Sequence, residues 1–431
     1  MTQGIVNSAS KFALLGGTAV ALALSATAPA SAASMVDRGI EKRVSDLEAE
    51  VRLLKNRVKA LEDRKLAVPD KIVVSGNSRV KVTLYGQVNR AVRFYFSKND
   101  GSVHHVDNDA SSSRIGILAR GRLFPDVTIS ALTEVEWQDN RRSITNDSNE
   151  GNTRLRSRVV DLWFTHADLG SLYMGHGSTA ADAASLFSLS GTSIVFASHG
   201  ADDGIRLSGN AAPAQTTAAN AIFPGLYYAP TTGLRQNRIM YTSPRIAGFQ
   251  VRVSHGENDQ FEAAVRYAGS PFGMKDIRVL GAFGYIYQPN GGSSIPTVNA
   301  GSANTYAGSL GVLHVPTGLN INGAAGTTVQ HGNNFAGQMN QSFWYVEGGW
   351  QGRIWAMGKS YFSVGAGTWN GGLTRVPNND IHAWRINTAF VQAIDAAATD
   401  IYAGYAYYDG KRQGTGLNAG HVIVIGARIK F

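Results

Sequence analysis

The sequence contains no cysteine, carries little charge and has no long apolar run beyond its first 32 residues. Of its 431 residues only 16% are charged, whereas roughly 25% is usual in a soluble protein. The absence of cysteine excludes disulfide frameworks, thiol nucleophiles, iron–sulfur clusters and cysteine-ligated zinc. A helical membrane protein is also excluded, because no later run approaches the ~18–20 apolar residues of a spanning helix. A membrane β-barrel stays open, because its strands alternate apolar and polar residues.

The charge is basic in balance but is not concentrated anywhere. The chain has 40 Lys and Arg against 31 Asp and Glu, a formal net charge of +9. The basic residues are scattered at strand-like spacing and form no single patch, so we expect no nucleic-acid partner. No motif indicates a catalytic residue, a metal or a cofactor, and we assign none.

The first 32 residues have the pattern of a secretory signal peptide. Lys11 precedes an apolar stretch from Phe12 to about Ala26, and Ala30-Ser31-Ala32 is a small-x-small cleavage site. We therefore predict export, with cleavage after Ala32. The alternative is an uncleaved N-terminal membrane anchor, which the shortness of the apolar stretch disfavours.

Residues 36–66 carry a heptad seam that predicts a short α-helical coiled coil. Valine at the a positions and leucine at the d positions would ordinarily favour two chains. However, the segments 43–48 and 57–62 both resemble the Arg-h-x-x-h-Glu pattern of short trimeric coiled coils, so we predict three chains. The residues assigned to this contact are Arg43, Val44, Leu47, Glu48, Val51, Leu54, Arg57, Val58, Leu61 and Glu62. The alternative is a lone surface helix with solvated charges.

Residues 76–431 alternate with period two and predict an all-β domain. The expected strands are 79–95, 110–121, 125–138, 154–167, 170–176, 237–244, 248–256, 261–269, 275–288, 304–316, 319–330, 341–353, 359–370, 381–395, 399–410 and 421–431. Long polar connections, such as 138–153, alternate with tight turns, such as 168–170. This pattern is typical of an outer-membrane barrel whose termini both lie in the periplasm. We therefore predict a 16-stranded antiparallel transmembrane β-barrel with a polar, water-filled interior, and a coiled coil in the periplasm.

The last strand ends in an aromatic residue. Its expected outward face is Ile423, Ile425, Ala427, Ile429 and Phe431, and its inward face includes Arg428 and Lys430. An alternating final strand that ends at an aromatic residue resembles the assembly signal of bacterial outer-membrane barrels. We therefore assign Phe431 to that signal and expect the barrel assembly machinery as a partner.

Several segments together resemble the trimeric general diffusion porins of Gram-negative bacteria. The segments that carry the likeness are Val82–Val88, Ser113–Ile117, Leu169–Gly175, Asn237–Pro244 and Gly426–Phe431. The resemblance implies a homotrimer in the outer membrane, surrounded by its lipid, that lets small hydrophilic solutes and ions diffuse passively. Two features depart from the family. His176 stands where the family commonly has arginine, and the usual Pro-Glu-Phe-Gly-Gly of the third loop is absent.

The resemblance also implies that the long connection 178–236 folds into the barrel and narrows it. Its acidic residues are Asp182, Asp202 and Asp203, and the alternative is an external loop or lid. Alternation predicts that the facing wall presents arginine, namely Arg93, Arg114, Arg120, Arg122, Arg154, Arg156 and Arg158. Strict alternation would also turn Val160, Leu162 and Phe164 inward, so we expect a bulge or a strand start near Val159. Acid facing arginine sets up a transverse field, and the excess of arginine predicts a mild anion preference.

Three other functions stay open from the sequence. A substrate-specific phosphate or sugar channel would need a basic ladder or a continuous aromatic track along the lumen. An outer-membrane hydrolase needs a Ser-His-acid set that can be scattered in sequence, although no motif supports one. The coiled coil could also bind peptidoglycan, a role compatible with transport.

Overall fold

A computed structural model describes Lys55, Asn77 and residues 79–98, 100–143, 145, 153–198, 207, 231, 234–289, 302–331, 339–371, 381–412 and 415–431. The chain divides into two compact units, Met1–Ile72 and Val73–Phe431. Of the first unit only Lys55 is described, and it is helical. The predicted signal peptide and the remainder of the predicted coiled coil therefore lie outside the described residues. No helix in the described part of the chain is long and apolar enough to cross a membrane.

The described strands form one closed antiparallel sheet. They are β1 (Val80–Ser97), β2 (Asp100–Asp107), β3 (Arg114–Phe124), β4 (Val127–Trp137), β5 (Leu155–His166), β6 (Gly170–Ser178), β7 (Arg235–Thr242), β8 (Phe249–Gly256), β9 (Phe261–Gly269), β10 (Ile277–Gln288), β11 (Ala303–His314), β12 (Leu319–Gln330), β13 (Met339–Trp355), β14 (Gly358–Asn370), β15 (Ile381–Ile394), β16 (Thr399–Arg412), β17 (Thr415–Gly416) and β18 (Gly420–Lys430). Short 3₁₀ turns occupy Asp109–Ser111, Glu257–Asp259, Pro271–Gly273 and Asp395–Ala397. The sheet closes where β1 pairs with β18, from Gln87 opposite Lys430 to Ser97 opposite Gly420.

The predicted 16-stranded barrel is confirmed. Each expected strand is present, and the ranges predicted for β9 and β12 match the observed ones. The structure adds an interruption in the second wall strand. β2 pairs with β1 along Arg90–Ser97, and β3 continues on the same edge of β1 along Val80–Gln87. The intervening residues 108–113 leave the wall, and Asn108 becomes fully buried.

Side chains alternate between an apolar outer face and a covered inner face. In β11, Leu310 points outward and is 55% exposed, whereas its neighbour Ser309 is 8% exposed on the inside. A closed sheet pairs its backbone groups internally, so only side chains have to suit the lipid. The expected bulge is also present, because Glu134 of β4 opposes Val159 of β5 while Val135 opposes Ser157. Arg158 is the extra residue, which returns Val160 to the outer face.

The interior is not polar throughout, contrary to expectation. An apolar cluster fills the space inside β1, β2, β12–β16 and β18. Its members include Tyr95, Val106, Ile194, Val195, Phe196, Leu207, Tyr345, Trp369, Ala383, Tyr402, Tyr408, Val422 and Val424. Four of these residues belong to the connection after β6, which supplies the apolar surface that covers the inner wall. Water is therefore excluded from this side of the lumen.

Candidate functional site

Residues 179–198 lie inside the barrel and follow the inner wall from β8 to β15. Their backbone N–H groups donate to inward-facing side chains of successive strands. The bonds are Ala180 to Ser254 at 3.0 Å, Ala181 to Glu262 at 2.8 Å, Phe187 to Ser309 at 3.0 Å and Leu189 to Asn322 at 2.6 Å. Further along, Ser188 Oγ donates to Glu347 at 3.0 Å. The wall thus satisfies the backbone of a segment that has no regular secondary structure.

Small residues on the wall allow this segment to approach closely. A Cβ added to Gly284 would lie 2.9 Å from Ala181 Cβ, and one added to Gly404 would lie 2.5 Å from Val195 Cγ1. Both separations are below van der Waals contact. Glycine at these two wall positions therefore creates the space into which the segment packs.

The far end of the segment is held by three inward-facing polar side chains. Asn108 Nδ2 donates to the Ile194 carbonyl at 2.8 Å, Arg142 Nη1 to the Val195 carbonyl at 2.6 Å and Arg385 Nη2 to the Ala197 carbonyl at 2.7 Å. Both guanidinium groups lie over the Phe196 ring, that of Arg142 at 5.0 Å and that of Arg385 at 5.6 Å from its centroid. Cation–π attraction and hydrogen bonding therefore act together at this point.

The inner wall from β3 to β9 is polar, and we call it the polar arc. On β3–β5, Arg158 Nε lies 2.5 Å from Glu134 and its Nη1 lies 2.8 Å from Glu136, while Arg114 lies 3.7 Å from Glu134. Tyr85 also donates to Glu134 at 2.6 Å. Each of the two carboxylates is thus paired with arginine, and the cluster carries little net charge.

The other two arginines of the β5 ladder face the same side. Arg156 lies directly opposite Glu136 in the β4–β5 register, and Arg154 Nε donates to Gln138 at 2.9 Å. Asp161 also faces inward, because it opposes the inward-facing Leu132. The bulge at Arg158 allows the arginines before it and Asp161 after it to share the inner face of the barrel. Without the extra residue, either the arginines or Asp161 would face the lipid.

The remaining sequence-predicted residues lie at different places. Arg93 faces inward but is fully buried, and it donates to the carbonyls of Arg142 and Thr145 at 2.9 and 2.6 Å. Arg120 and Arg122 lie on the inner face of β3 near its end and are exposed. Arg93 thus supports a loop, whereas the other two meet solvent.

Asp182 lies at the start of the inserted segment and is 6% exposed. Its Oδ1 accepts the Leu234 N–H at 3.0 Å, and its carbonyl accepts Arg266 Nη2 at 2.6 Å. Asp202 and Asp203 lie outside the described residues.

The sequence analysis overlooked the arginines of β7–β9. Arg238 on β7 forms a two-pronged ion pair with Asp161, with Nη1 to Oδ1 at 2.9 Å and Nη2 to Oδ2 at 2.7 Å. On β8 and β9, Arg252 and Arg266 also face the lumen. The signal was available, because Arg252 stands between the outward-facing Val251 and Val253. Among the described residues, no group of three or more His, Asp or Glu side chains is arranged to hold a metal ion.

Comparison with known proteins agrees with this architecture. Residues 18–415 match the model of the Gram-negative porin family, while no curated protein matches the chain. The anion-selective porin from Comamonas acidovorans is similar in structure, with a TM-score of 0.53 and 16% identity over 82% of this chain and 100% of that one. OmpT of Vibrio cholerae has a TM-score of 0.52 and 15% identity over 84% of this chain and 100% of that one. Pseudomonas putida OprB has a TM-score of 0.53 and 11% identity over 82% of this chain and 94% of that one. These likenesses show the shared fold, and the match of the family model over most of the length means that the chain belongs to the Gram-negative porins, channel proteins of the outer membrane.

Proposed function

We propose that the chain forms a water-filled homotrimeric channel through which small hydrophilic solutes and ions diffuse passively, with a mild anion preference. The observation that carries the proposal is the division of the lumen. Residues 179–198 run along the inner wall from β8 to β15, and the apolar cluster covers that of β12–β16, β18, β1 and β2. The polar arc of β3–β9, whose strands contribute no member to that cluster, bounds the passage.

The polar arc suits small hydrophilic solutes. Arginines and carboxylates alternate along it, with Arg158 between Glu134 and Glu136 and Asp182 at the edge of the inserted segment. Fixed charges of opposite sign in a narrow passage with low-dielectric walls orient water and dipolar solutes. An apolar solute would have to displace that water without replacing its hydrogen bonds, so its passage is disfavoured.

The anion preference rests on basic side chains that have no close carboxylate within the described part of the chain. Lys81 and Arg120 lie directly opposite each other on β1 and β3, and Arg252 and Arg266 lie on β8 and β9. In contrast, the arginines of β3–β5 near Glu134 are neutralised. A partial excess of positive charge therefore faces the water, which favours anions without excluding cations.

A sugar-specific channel is less well supported than a passive diffusion channel. Such a channel requires aromatic side chains exposed in sequence along the passage. The inward-facing Tyr345, Trp369 and Tyr402 are instead buried in the apolar cluster at 4%, 1% and 1% exposure. They are not available to a solute.

The outward faces of β3–β5 support the homotrimer. They carry mainly aliphatic side chains, including Ile117 at 50%, Leu155 at 63% and Val160 at 51% exposure. Outward tyrosine and tryptophan are concentrated instead on β7, β9, β10, β11, β13, β15 and β16, where an aromatic belt would meet the lipid headgroups. On β3–β5 the outward tryptophan is Trp137, which ends β4 and is 40% exposed. A mainly aliphatic arc suits contact with another subunit, and OmpT of Vibrio cholerae has a trimer form.

The subunit contact is tested by placing an arginine on the outward face of β5, within the assigned contact, or on the outward face of β8, outside it. We expect Val160→Arg on β5 to abolish the trimer in native mass spectrometry, because it buries an unpaired charge between subunits. The matched change Val253→Arg on β8, which is 37% exposed, is expected to leave the trimer intact. Equal behaviour of both variants would contradict the assigned contact.

Two sequence-based assignments belong to the same proposal. Residues 36–66 would hold three chains together in the periplasm and could bind peptidoglycan. Loss of co-sedimentation with peptidoglycan on deletion of 36–66, with unchanged conductance, would support that role. Phe431 would guide assembly, and its backbone already closes the barrel through two hydrogen bonds with Gly86 at 2.8 and 3.0 Å.

Single-channel recording of purified protein in a planar bilayer tests the pore itself. We expect a conductance that closes in three equal steps, rises with KCl concentration without saturating and gives a reversal potential of anion-selective sign in a salt gradient. A folded, heat-modifiable trimer that conducts no current would overturn the proposal.

A further inference from the structure

Arg252 and Arg266 lie on neighbouring strands and face the lumen together. In the β8–β9 register Arg252 opposes Ala264, while Gln250 opposes Arg266. The two arginines are therefore diagonal neighbours on one face of the sheet, with Cβ atoms on the order of 7–8 Å apart. The positive charge of Arg252 acts on the Arg266 guanidinium.

Neither guanidinium is paired with a carboxylate of the residues that the structure describes. Arg252 donates no hydrogen bond to any residue that the structure describes, and its Nε is buried without an acceptor. Arg266 donates only through Nη2, to the carbonyls of Ala180 at 3.3 Å and Asp182 at 2.6 Å. Its Nε is likewise buried without an acceptor. The Arg266 guanidinium also lies over the Phe187 ring, 5.2 Å from its centroid. Two like charges side by side on a sheet still repel each other, and an anion bound to both would relieve that repulsion.

The surrounding charges do not compensate the pair. The charged groups with the largest effect on Arg252 are Asp182, Arg245 and Arg238. Arg238 is already neutralised by Asp161, and Arg245 adds a further positive charge. Asp182 is the single acid among them, and its Oδ1 accepts the Leu234 N–H instead of an arginine.

The pair also lies at the level of the wall where the inserted segment begins. Arg252 opposes Ala264, and Ala264 in turn opposes Gly284 on β10. Gly284 is the wall position against which Ala181 packs. Arg252 therefore lies on the inner face two strands away from the wall position against which the inserted segment packs.

We propose that Arg252 and Arg266 form a binding site for a polyvalent oxyanion, such as phosphate or sulfate, within the passage. The planar guanidinium offers paired N–H donors that match two oxygens of a tetrahedral anion, whereas chloride offers no such match. The site retains an oxyanion briefly while chloride passes. This inference rests on the proposed function for its role in transport, but binding itself can be measured without a current.

The experiment measures inorganic phosphate binding in two ways. Phosphorus NMR line broadening reports binding to the folded protein in detergent micelles, and bilayer recording reports the phosphate concentration that halves the chloride current. We expect Arg252→Gln to raise the half-blocking phosphate concentration about tenfold, because one pair of charge-assisted N–H donors is lost. Arg252→Lys keeps the positive charge but not the paired donors, and we expect an intermediate effect.

Arg278→Gln is the matched control. Arg278 is an exposed arginine on the inner face of β10, so the variant loses the same charge outside the pair. The proposal is overturned if Arg252→Gln and Arg278→Gln change phosphate binding equally, or if wild-type protein shows no phosphate broadening. A wild type that binds phosphate but carries no current would refute the pore and leave the site standing.

Discussion

Replacing Phe196 with alanine tests whether the inserted segment 179–198 sets the width of the passage. The Phe196 side chain is 1% exposed, and its ring centroid lies 5.0 Å from the guanidinium of Arg142 and 5.6 Å from that of Arg385. Truncation removes the ring and leaves a cavity beside two charged groups. The strands of the barrel keep their own hydrogen bonds, so the fold itself should persist.

The expected cost follows from burial. Truncating a fully buried phenylalanine to alanine costs about 3–5 kcal/mol, which includes the cavity it leaves. In an undocked state, residues around Phe196 would leave the inner wall. Since about 1.4 kcal/mol changes an equilibrium tenfold, the population of that state should rise by about two to four orders of magnitude. The hydrogen bonds to the carbonyls of 194, 195 and 197 are still available, so the segment returns to the wall and undocking is transient.

Single-channel recording and liposome swelling provide the assay. We expect Phe196→Ala to show a larger mean conductance, more frequent current fluctuations and a higher size limit for neutral sugars. Phe283→Ala is the control, because Phe283 faces lipid and is 55% exposed. A heat-modifiable Phe196→Ala protein with wild-type conductance and size limit would refute the reasoning that this segment bounds the passage.

Three further predictions follow from the lumen. Glu134→Gln removes a negative charge beside Arg158, 2.5 Å away, so the reversal potential in a KCl gradient should move toward anion selectivity; an unchanged potential would contradict this. Arg93→Met should leave the reversal potential unaltered but lower the temperature of heat modification, because two buried carbonyls lose their donor at about 1–3 kcal/mol each. Gly404→Ala should destabilise the folded barrel by about 1–3 kcal/mol through overpacking, whereas Gly348→Ala, with nothing within 4 Å of the added Cβ, should not; denaturant unfolding followed by gel mobility distinguishes them.

The sequence alone was sufficient for most of the wall of the barrel, although β2 (Asp100–Asp107) lies outside the expected strands. Lipid outside and protein or water inside require consecutive residues to alternate, so each strand carries its own evidence. The strand Phe261–Gly269 and the bulge near Val159 were both predicted in this way. The bulge was predictable because a ladder of arginines and a run of apolar residues cannot share one face at the depth of the bilayer.

Alternation also indicated which side chains point inward, but not what they meet there. Arg93 was predicted to face the lumen, and it does, yet a loop covers it completely. The arginines at 252 and 266 carried the same signal and were overlooked, because nothing local distinguishes a paired arginine from an unpaired one.

Only the tertiary structure decided how the lumen is divided between protein and water. The apolar cluster forms where Phe196 and its neighbours meet the inner wall, and the Asn108–Tyr402 hydrogen bond of that region joins residues 294 positions apart. Such contacts have no period and no spacing that a sequence displays. Alternation is a local consequence of the solvent on each side of one strand, whereas the packing of a loop against distant strands depends on the closure of the whole barrel.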